Sequence, residues 1–102
     1  MSLRVHPEAE SDFREAADYY RTRAGANVAE AFLAEFERAL GVLGSRPLIG
    51  AAAAGTYRRL SMRRFPFSVF YVVLHEDVQV FAVAHHRRRP GYWHGRTFAT
   101  KK

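Results

Sequence analysis

The chain contains no cysteine. That excludes disulfides, a thiolate nucleophile, and cysteine-ligated zinc or iron–sulfur centres, and it suits a protein of a reducing compartment. No apolar run approaches the roughly 20 residues that cross a bilayer. The opening residues, MSLRVHPEAE, lack the apolar core of a signal peptide. A soluble, cytoplasmic protein is therefore expected. Also missing are a glycine-rich phosphate loop, a G-x-S-x-G elbow, an H-E-x-x-H pair and zinc-finger spacing, so neither cofactor nor metal is expected. Lysine occurs only at Lys101 and Lys102, and the other fourteen basic residues are arginine. Arginine favours planar contacts to phosphate or carboxylate over diffuse charge.

Acidic residues are nearly absent from one half. Residues 1–45 hold five arginines against eight acids, a net of −3, whereas residues 46–102 hold eleven basic residues against Glu76 and Asp77, a net of +9. A basic half of this kind attracts nucleic acid or an acidic protein surface, unless it merely keeps the protein soluble. With 102 residues, 48% of them hydrophobic, the chain is expected to form one domain, 1–102, around a single core.

Ser2 to His6 alternates apolar and polar residues, as a short strand does. Pro7 suits the first turn of a helix, where its missing N–H costs nothing, and Glu8, Glu10 and Asp12 complement the positive end of the helix dipole. Ala9, Phe13, Ala16, Ala17 and Tyr20 recur along one helical face. Gly25 ends this helix, and Asn27 is the expected N-cap of the next. In the second helix Val28, Phe32, Phe36, Ala39, Leu40 and Leu43 share a stripe, closed by Gly44, Ser45, Arg46 and Pro47. The short link predicts an antiparallel helix hairpin.

Pro47 to Thr56 reads as a loop, because four alanines between Gly50 and Gly55 cannot sustain a helix. Strands are expected at Tyr57–Arg63, Phe67–His75 and Val78–His85, with a turn at Glu76–Asp77. The run FSVFYVVL is apolar at nearly every position, so both its faces need covering. The hairpin covers one; aromatic side chains, the C-terminal segment or a partner must cover the other. The order β-α-α-β-β-β defines an α+β protein, a helix hairpin packed on a mainly antiparallel sheet.

The chemistry-bearing residues flank these strands. Arg59, Ser61 and Arg63 share one strand face and Arg58, Leu60, Met62 and Arg64 the other. Leu60 and Met62 belong to the core, which leaves the first set outward, either as an anion-binding face or as a charged edge protected from aggregation. His85, His86, Arg87, Arg88 and Arg89 form the densest cluster. Adjacent histidines point to opposite strand faces, which argues against a His–His metal site, but one histidine among arginines can serve as a general acid or base. Arginines there can clamp a phosphate. Tyr92 and Trp93 offer stacking faces or anchor the chain end. The helical carboxylates read as solvent-exposed.

The segments EAESDFREAADYYRTRAG, AEAFLAEFERALGVLGSRP, YRRLSMRRFPFSVFYVV and VQVFAVAHHRRRPGYW together resemble the ParE/RelE superfamily of type II toxins, over about residues 3 to 96. RRFPFSVFYVV and VFAVAHHRRRPGYW look most like its ParE branch, also known as plasmid stabilisation proteins. The resemblance implies a RelE/ParE-like fold, a toxin encoded with a cognate antitoxin, and neutralisation by an extended or helical antitoxin tail. RelE-like members cut mRNA on the ribosome without a metal, whereas ParE-like members poison DNA gyrase and lack the nuclease set. Ser68 and Ser61 stand where RelE-type nucleases carry strand cations, while Arg59 and Arg88 match basic positions and Tyr92 lies near the C-terminal aromatic.

The resemblance therefore implies a gyrase-binding toxin that is not an enzyme. Its target-binding candidates are Arg59, Arg63, Arg87, Arg88, Arg89, Tyr92 and Trp93. The alternatives are a ribosome-dependent endoribonuclease using Arg59, His85, His86, Arg88 and Tyr92, and a non-toxic relative that only binds its partner. Tyr19, Phe65, Phe67 and Tyr71 are the candidate antitoxin-binding residues.

Overall fold

The computed structural model describes residues 2–75 and 77–98. Strand β1 (Ser2–Val5) leads into helix α1 (Pro7–Ala24) and helix α2 (Ala26–Ser45), followed by β2 (Ala51–Ala52), β3 (Arg58–Ser61), β4 (Phe67–Leu74) and β5 (Asp77–His85). They build one five-stranded sheet in the order β1-β5-β4-β3-β2. Strand β1 is parallel to β5, and every other pairing is antiparallel. The α+β fold expected from the sequence is therefore present, with one strand more than the periodicity revealed.

The extra strand is β2, inside the segment expected to be a loop. Its two residues pair with Arg58 and Arg59, and a strand so short leaves no periodicity to read. A second difference concerns the hairpin link. Gly25 alone joins the helices, capping the end of α1 and the start of α2 at φ 101° and ψ 168°. This backbone region is open essentially to glycine only. Asn27 consequently lies inside α2 and is not its cap. At the other end of α1 the cap is His6, whose Nδ1 accepts from the Glu8 N–H while Nε2 lies 2.8 Å from the Thr97 carbonyl. Those two contacts define a neutral tautomer with the proton on Nε2. Of the expected turn, Glu76 lies outside the described residues; Asp77 already belongs to β5, opposite Leu74.

The helix hairpin packs on one face of the sheet. Phe32, Phe36, Ala39 and Leu43 of α2 meet Val69, Tyr71, Val78 and Val80, with Phe13 of α1 stacked on Phe36 at 4.5 Å. A second, smaller core lies on the opposite face, where Phe81, Ala82, Ala84 and Trp93 pack with Tyr57, Phe70 and Phe98. The C-terminal segment is thus what covers the far face of the apolar β4. A bulge permits this arrangement. Phe70 pairs with Ala82 but Tyr71 with Val80, leaving Phe81 as the additional residue. It sends Val78, Val80 and Val83 to the helix side and Phe81, Ala82 and Ala84 to the other.

The helical carboxylates do not all face solvent. Asp12 is buried on α1 and binds Arg96, so the expectation of exposure fails there. Its position, three residues after Ala9 and four before Ala16, places it on the buried stripe. No described helix is long and apolar enough to cross a membrane.

Candidate functional site

The sheet face opposite the helices carries a cleft of about 660 Å³, within the range of about 300–1,000 Å³ typical of ligand pockets. Its floor comes from β3, β4 and β5. Antiparallel register sets Arg59 opposite Phe70 and Ser61 opposite Ser68, and Ser68 opposite Ala84. The segment after β5 forms the other wall through His86, Arg88, Pro90, Gly91, Trp93 and His94. Gly91 adopts φ 78°, and a Cβ there would lie 2.9 Å from the His94 ring, so the turn back over the sheet requires glycine.

A hydrogen-bonded line crosses the floor. Ser61 Oγ and Ser68 Oγ are 3.3 Å apart, and Ser68 Oγ is 2.9 Å from His86 Nε2. Ser68 is fully buried, so these partners satisfy a hydroxyl that water does not reach. A serine nucleophile would need a base itself oriented by a third group. Among the described residues, His86 Nδ1 has no such partner. Arg59 and Arg88 form no ion pair among the described residues; Arg88 instead lies 3.9 Å from the centre of the Tyr92 ring. Both arginines line the cleft, whose described lining contains no acid, and Arg88 also borders a neighbouring hollow that holds Asp12 and Glu15.

Of the residues singled out in the sequence, the cleft brings together Arg59, His86, Arg88 and the small accessible part of Trp93. His85 lies on the other face of the sheet, edge-on to Phe67 at 5.1 Å, and its Nδ1 accepts from the Arg87 N–H. The two histidines are separated by the sheet, as strand alternation requires. Arg63, Arg87 and Arg89 are exposed but outside the cleft lining. No group of three metal-ligating side chains occurs among the described residues.

Several candidates occupy other places than a binding surface needs. Trp93 is only 5% exposed and packs against Phe70 at 4.0 Å, so it anchors the chain end and presents no free stacking face. Tyr92 turns its hydroxyl inward, donating to Asp12 Oδ2 at 3.0 Å. Burial, then the Asp12 charge, pushes its pKa up to about 12. It is therefore a neutral donor committed to the fold. Phe67 is buried against α1 and α2, and Tyr71 has no exposed surface. The Tyr71 hydroxyl donates to the Pro47 carbonyl and accepts from the Gly50 N–H. Neither can offer a face to a partner, because both fill the first core. Phe65 is half-buried, and Tyr19 is exposed.

Sequence reasoning missed the roles of Asp12, Arg96 and His94, and the coupling of Ser68 to His86. Only for Asp12 was a signal present, its place on the apolar stripe.

This architecture is shared with a protein from a solved toxin–antitoxin system. A chain described as the chromosomal ParDE TA system from P. aeruginosa superposes with a TM-score of 0.75, covering 83% of this chain and 95% of that one at 23% identity. Residues 3–90 match the family described as the ParE toxin of the type II toxin-antitoxin system, parDE. The chain belongs to the ParE toxin family. No curated protein matches the sequence significantly.

Proposed function

We propose that this ParE-family toxin acts in the cytoplasm by poisoning DNA gyrase, without cleaving RNA, and that a cognate antitoxin neutralises it. The observation that supports a non-nucleolytic action is the pair of neutral hydroxyls in the floor of the cleft. Ser61 and Ser68 bond to each other at 3.3 Å at positions where the resemblance to RelE-type nucleases calls for strand cations. Cleaving a phosphodiester without a metal needs donors aimed at the charge that develops on the phosphate. Hydroxyls already bonded to each other and to His86 supply far less of this than arginines. The Tyr92 hydroxyl, bound to Asp12, is similarly withheld.

The antitoxin tail is proposed to lie over the helix hairpin, where Tyr19 and Leu33 stand 57% and 42% exposed, with Phe65 at its margin. Such residues suit an amphipathic segment that buries its apolar side.

Expression without antitoxin should arrest growth, and the purified chain should trap gyrase on DNA as covalent cleavage complexes while ribosome-bound mRNA stays intact. Failure to trap gyrase under conditions of growth arrest would reject this reading. The second reading, a ribosome-dependent endoribonuclease, draws on one observation: Arg59, Arg88 and His86 share the cleft. Cut mRNA with free gyrase would favour it.

A further inference from the structure

We infer that the free edge of the sheet at β2, with the turn that precedes it, is the surface on which this toxin docks its target protein, taking up an extended acidic segment of that protein. The inference rests on the reading that the chain acts by binding a protein. It does not require that protein to be gyrase.

The backbone gives the first argument. Strand β2 ends the sheet, so no described strand pairs with its outer side. In an antiparallel ladder, successive residues turn their N–H and C=O groups alternately toward the partner strand and away from it. Ala53 donates its N–H to the Tyr57 carbonyl, and Ala51, two residues earlier, lies opposite Arg59; both therefore face β3. Ala52 lies between them, and its N–H and C=O point away from the sheet. The neighbouring strand agrees. Arg58, opposite Ala52, has the same parity as Met62, whose N–H donates to the Phe67 carbonyl, so its backbone groups face β4. The side chains from Ala51 to Ala54 are small and exposed, so nothing of their own shields this edge. An open edge is a template for an added strand.

The second argument is the turn before the strand. Leu48 and Ile49 are 64% and 39% exposed, and with Arg46 and Pro47 they border a shallow hollow of about 360 Å³. They are firmly held. The Tyr71 hydroxyl donates to the Pro47 carbonyl and accepts from the Gly50 N–H. Arg58 Nη1 donates to the Gly50 carbonyl at 2.8 Å and the Leu48 carbonyl at 3.3 Å. A buried tyrosine and an arginine thus fix two aliphatic side chains in water. Fixing them in advance removes an ordering cost that binding would otherwise carry.

Charge selects the occupant. Residues 46–75 contain five arginines and no acid. Arg46 stands at the hollow and Arg59 is exposed on the strand next to β2. Two copies meeting edge to edge would bring these like charges together, which disfavours self-pairing, whereas an acidic segment is attracted. The antitoxin tail is assigned above to Tyr19 and Leu33 on the helix hairpin, which leaves the sheet edge to the target.

The test compares the full chain with Leu48→Asp/Ile49→Asp, Ala52→Pro and Arg46→Glu, by growth arrest on induction and by trapping of purified gyrase on plasmid DNA. The double aspartate variant should need at least about tenfold more protein for half-maximal trapping, since burying one aliphatic side chain is worth that much. Ala52→Pro removes an outward N–H that the fold does not use. It should keep the parent's melting temperature and weaken trapping about fivefold, the value of one hydrogen bond. Arg46→Glu should weaken it about fivefold at low salt and less at high salt. Leu74→Asp, at a leucine 48% exposed at the end of β4, should change nothing.

Full arrest by the double aspartate variant would overturn the inference, as would full activity of Ala52→Pro. Variants that still arrest growth but escape the cognate antitoxin would assign the surface to the antitoxin. A parent dimer that the variants dissociate, seen by light scattering, would assign it to a second copy. Either result overturns the inference as well. Growth arrest without trapped gyrase rejects gyrase alone, and loss of arrest in the variants then still supports this surface. A parent that arrests nothing rejects both.

Discussion

The carboxylate of Asp12 receives the guanidinium of Arg96 from 84 residues further along the chain, with Oδ2 2.7 Å from Nη1 and Oδ1 3.1 Å from Nη2. Around this pair the chain end is tied down. Asp12 Oδ2 also accepts from the Val83 N–H and the Tyr92 hydroxyl, and Arg96 Nη1 donates to the Phe81 carbonyl. Strand β1 pairs with β5 only from Asp77 to Val80. Beyond that point side chains take the place of a neighbouring strand, satisfying backbone groups that would otherwise be buried without partners.

Breaking the pair from one side should be costly. Asp12→Ala leaves the Arg96 charge in a site where its side chain is only 11% exposed, and a loss of about 3–5 kcal/mol is expected. Urea unfolding followed by circular dichroism measures it. Replacing Asp12 by Ala and Arg96 by Met together should recover part of that loss, because no charge is then stranded. If the double variant is no more stable than Asp12→Ala, the pair is not what holds the segment.

Tyr92 makes alkaline stability sensitive to pH. Its pKa, about 12 in the fold, stands above the value of about 10 for an unfolded tyrosine. Stability from this group is thus complete below pH 10 and is lost as pH rises through 12. Spectrophotometric titration at 295 nm should show a tyrosine ionising near pH 12 that is missing in Tyr92→Phe. That substitution should also cost about 1 kcal/mol at neutral pH through the lost hydrogen bond.

Glu35 predicts the opposite dependence. Its carboxylate binds Arg38 and accepts from the Arg63 N–H at 2.7 Å, joining α2 to the turn before β4. The bond to Arg38, with further help from Arg63, holds its pKa below the ordinary glutamate value. The stabilisation is present above the unfolded pKa and disappears as pH falls through the folded one. Glu35→Ala should therefore be less stable than the parent by about 1–3 kcal/mol at pH 7, with the difference shrinking steadily in acid. A difference that stays constant from pH 7 to pH 3 would contradict it.

Gly50 is packed where no side chain fits. A Cβ there would lie 2.6 Å from the Tyr71 hydroxyl and 2.9 Å from the Arg59 carbonyl. Gly50→Ala should cost about 1–3 kcal/mol through overpacking. Combining it with Tyr71→Phe, which removes the nearest atom, should cost less than the two changes added. Thermal melts of the four proteins complete the cycle, and strict additivity would show that the two residues do not meet.

Arg87 and Arg89 are exposed beside the cleft. Replacing Arg87, Arg88 and Arg89 by alanine should abolish growth arrest while leaving most of the stability intact. Undiminished toxicity of the triple variant would show that these arginines serve only as solvated charge.

The division between what the chain order foretold and what it hid follows the range of the forces involved. Helical stripes, the stop at Gly25, strand runs and the inward and outward faces of Arg59, Ser61 and Met62 come from local periodicity and backbone sterics and are legible in the sequence, whereas the expected stop at Gly44 fails because α2 continues through it to Ser45. So is the gathering of positive charge in the second half. Tertiary structure alone decided what was not local. The two-residue β2 exists only because β3 offers it an edge. The bulge at Phe81 exists because both faces of the sheet must be covered. Asp12 meets Arg96, and Ser68 meets His86, across separations that no spacing rule encodes. By the same packing, Tyr71, Phe67 and Trp93 became core and not surface, because an aromatic residue in a strand reads alike whether its neighbours are water or phenylalanine. The sequence determined that arginine, serine and histidine would stand at strand ends; burial and register decided that Arg59, Ser61, His86 and Arg88 would face one cavity.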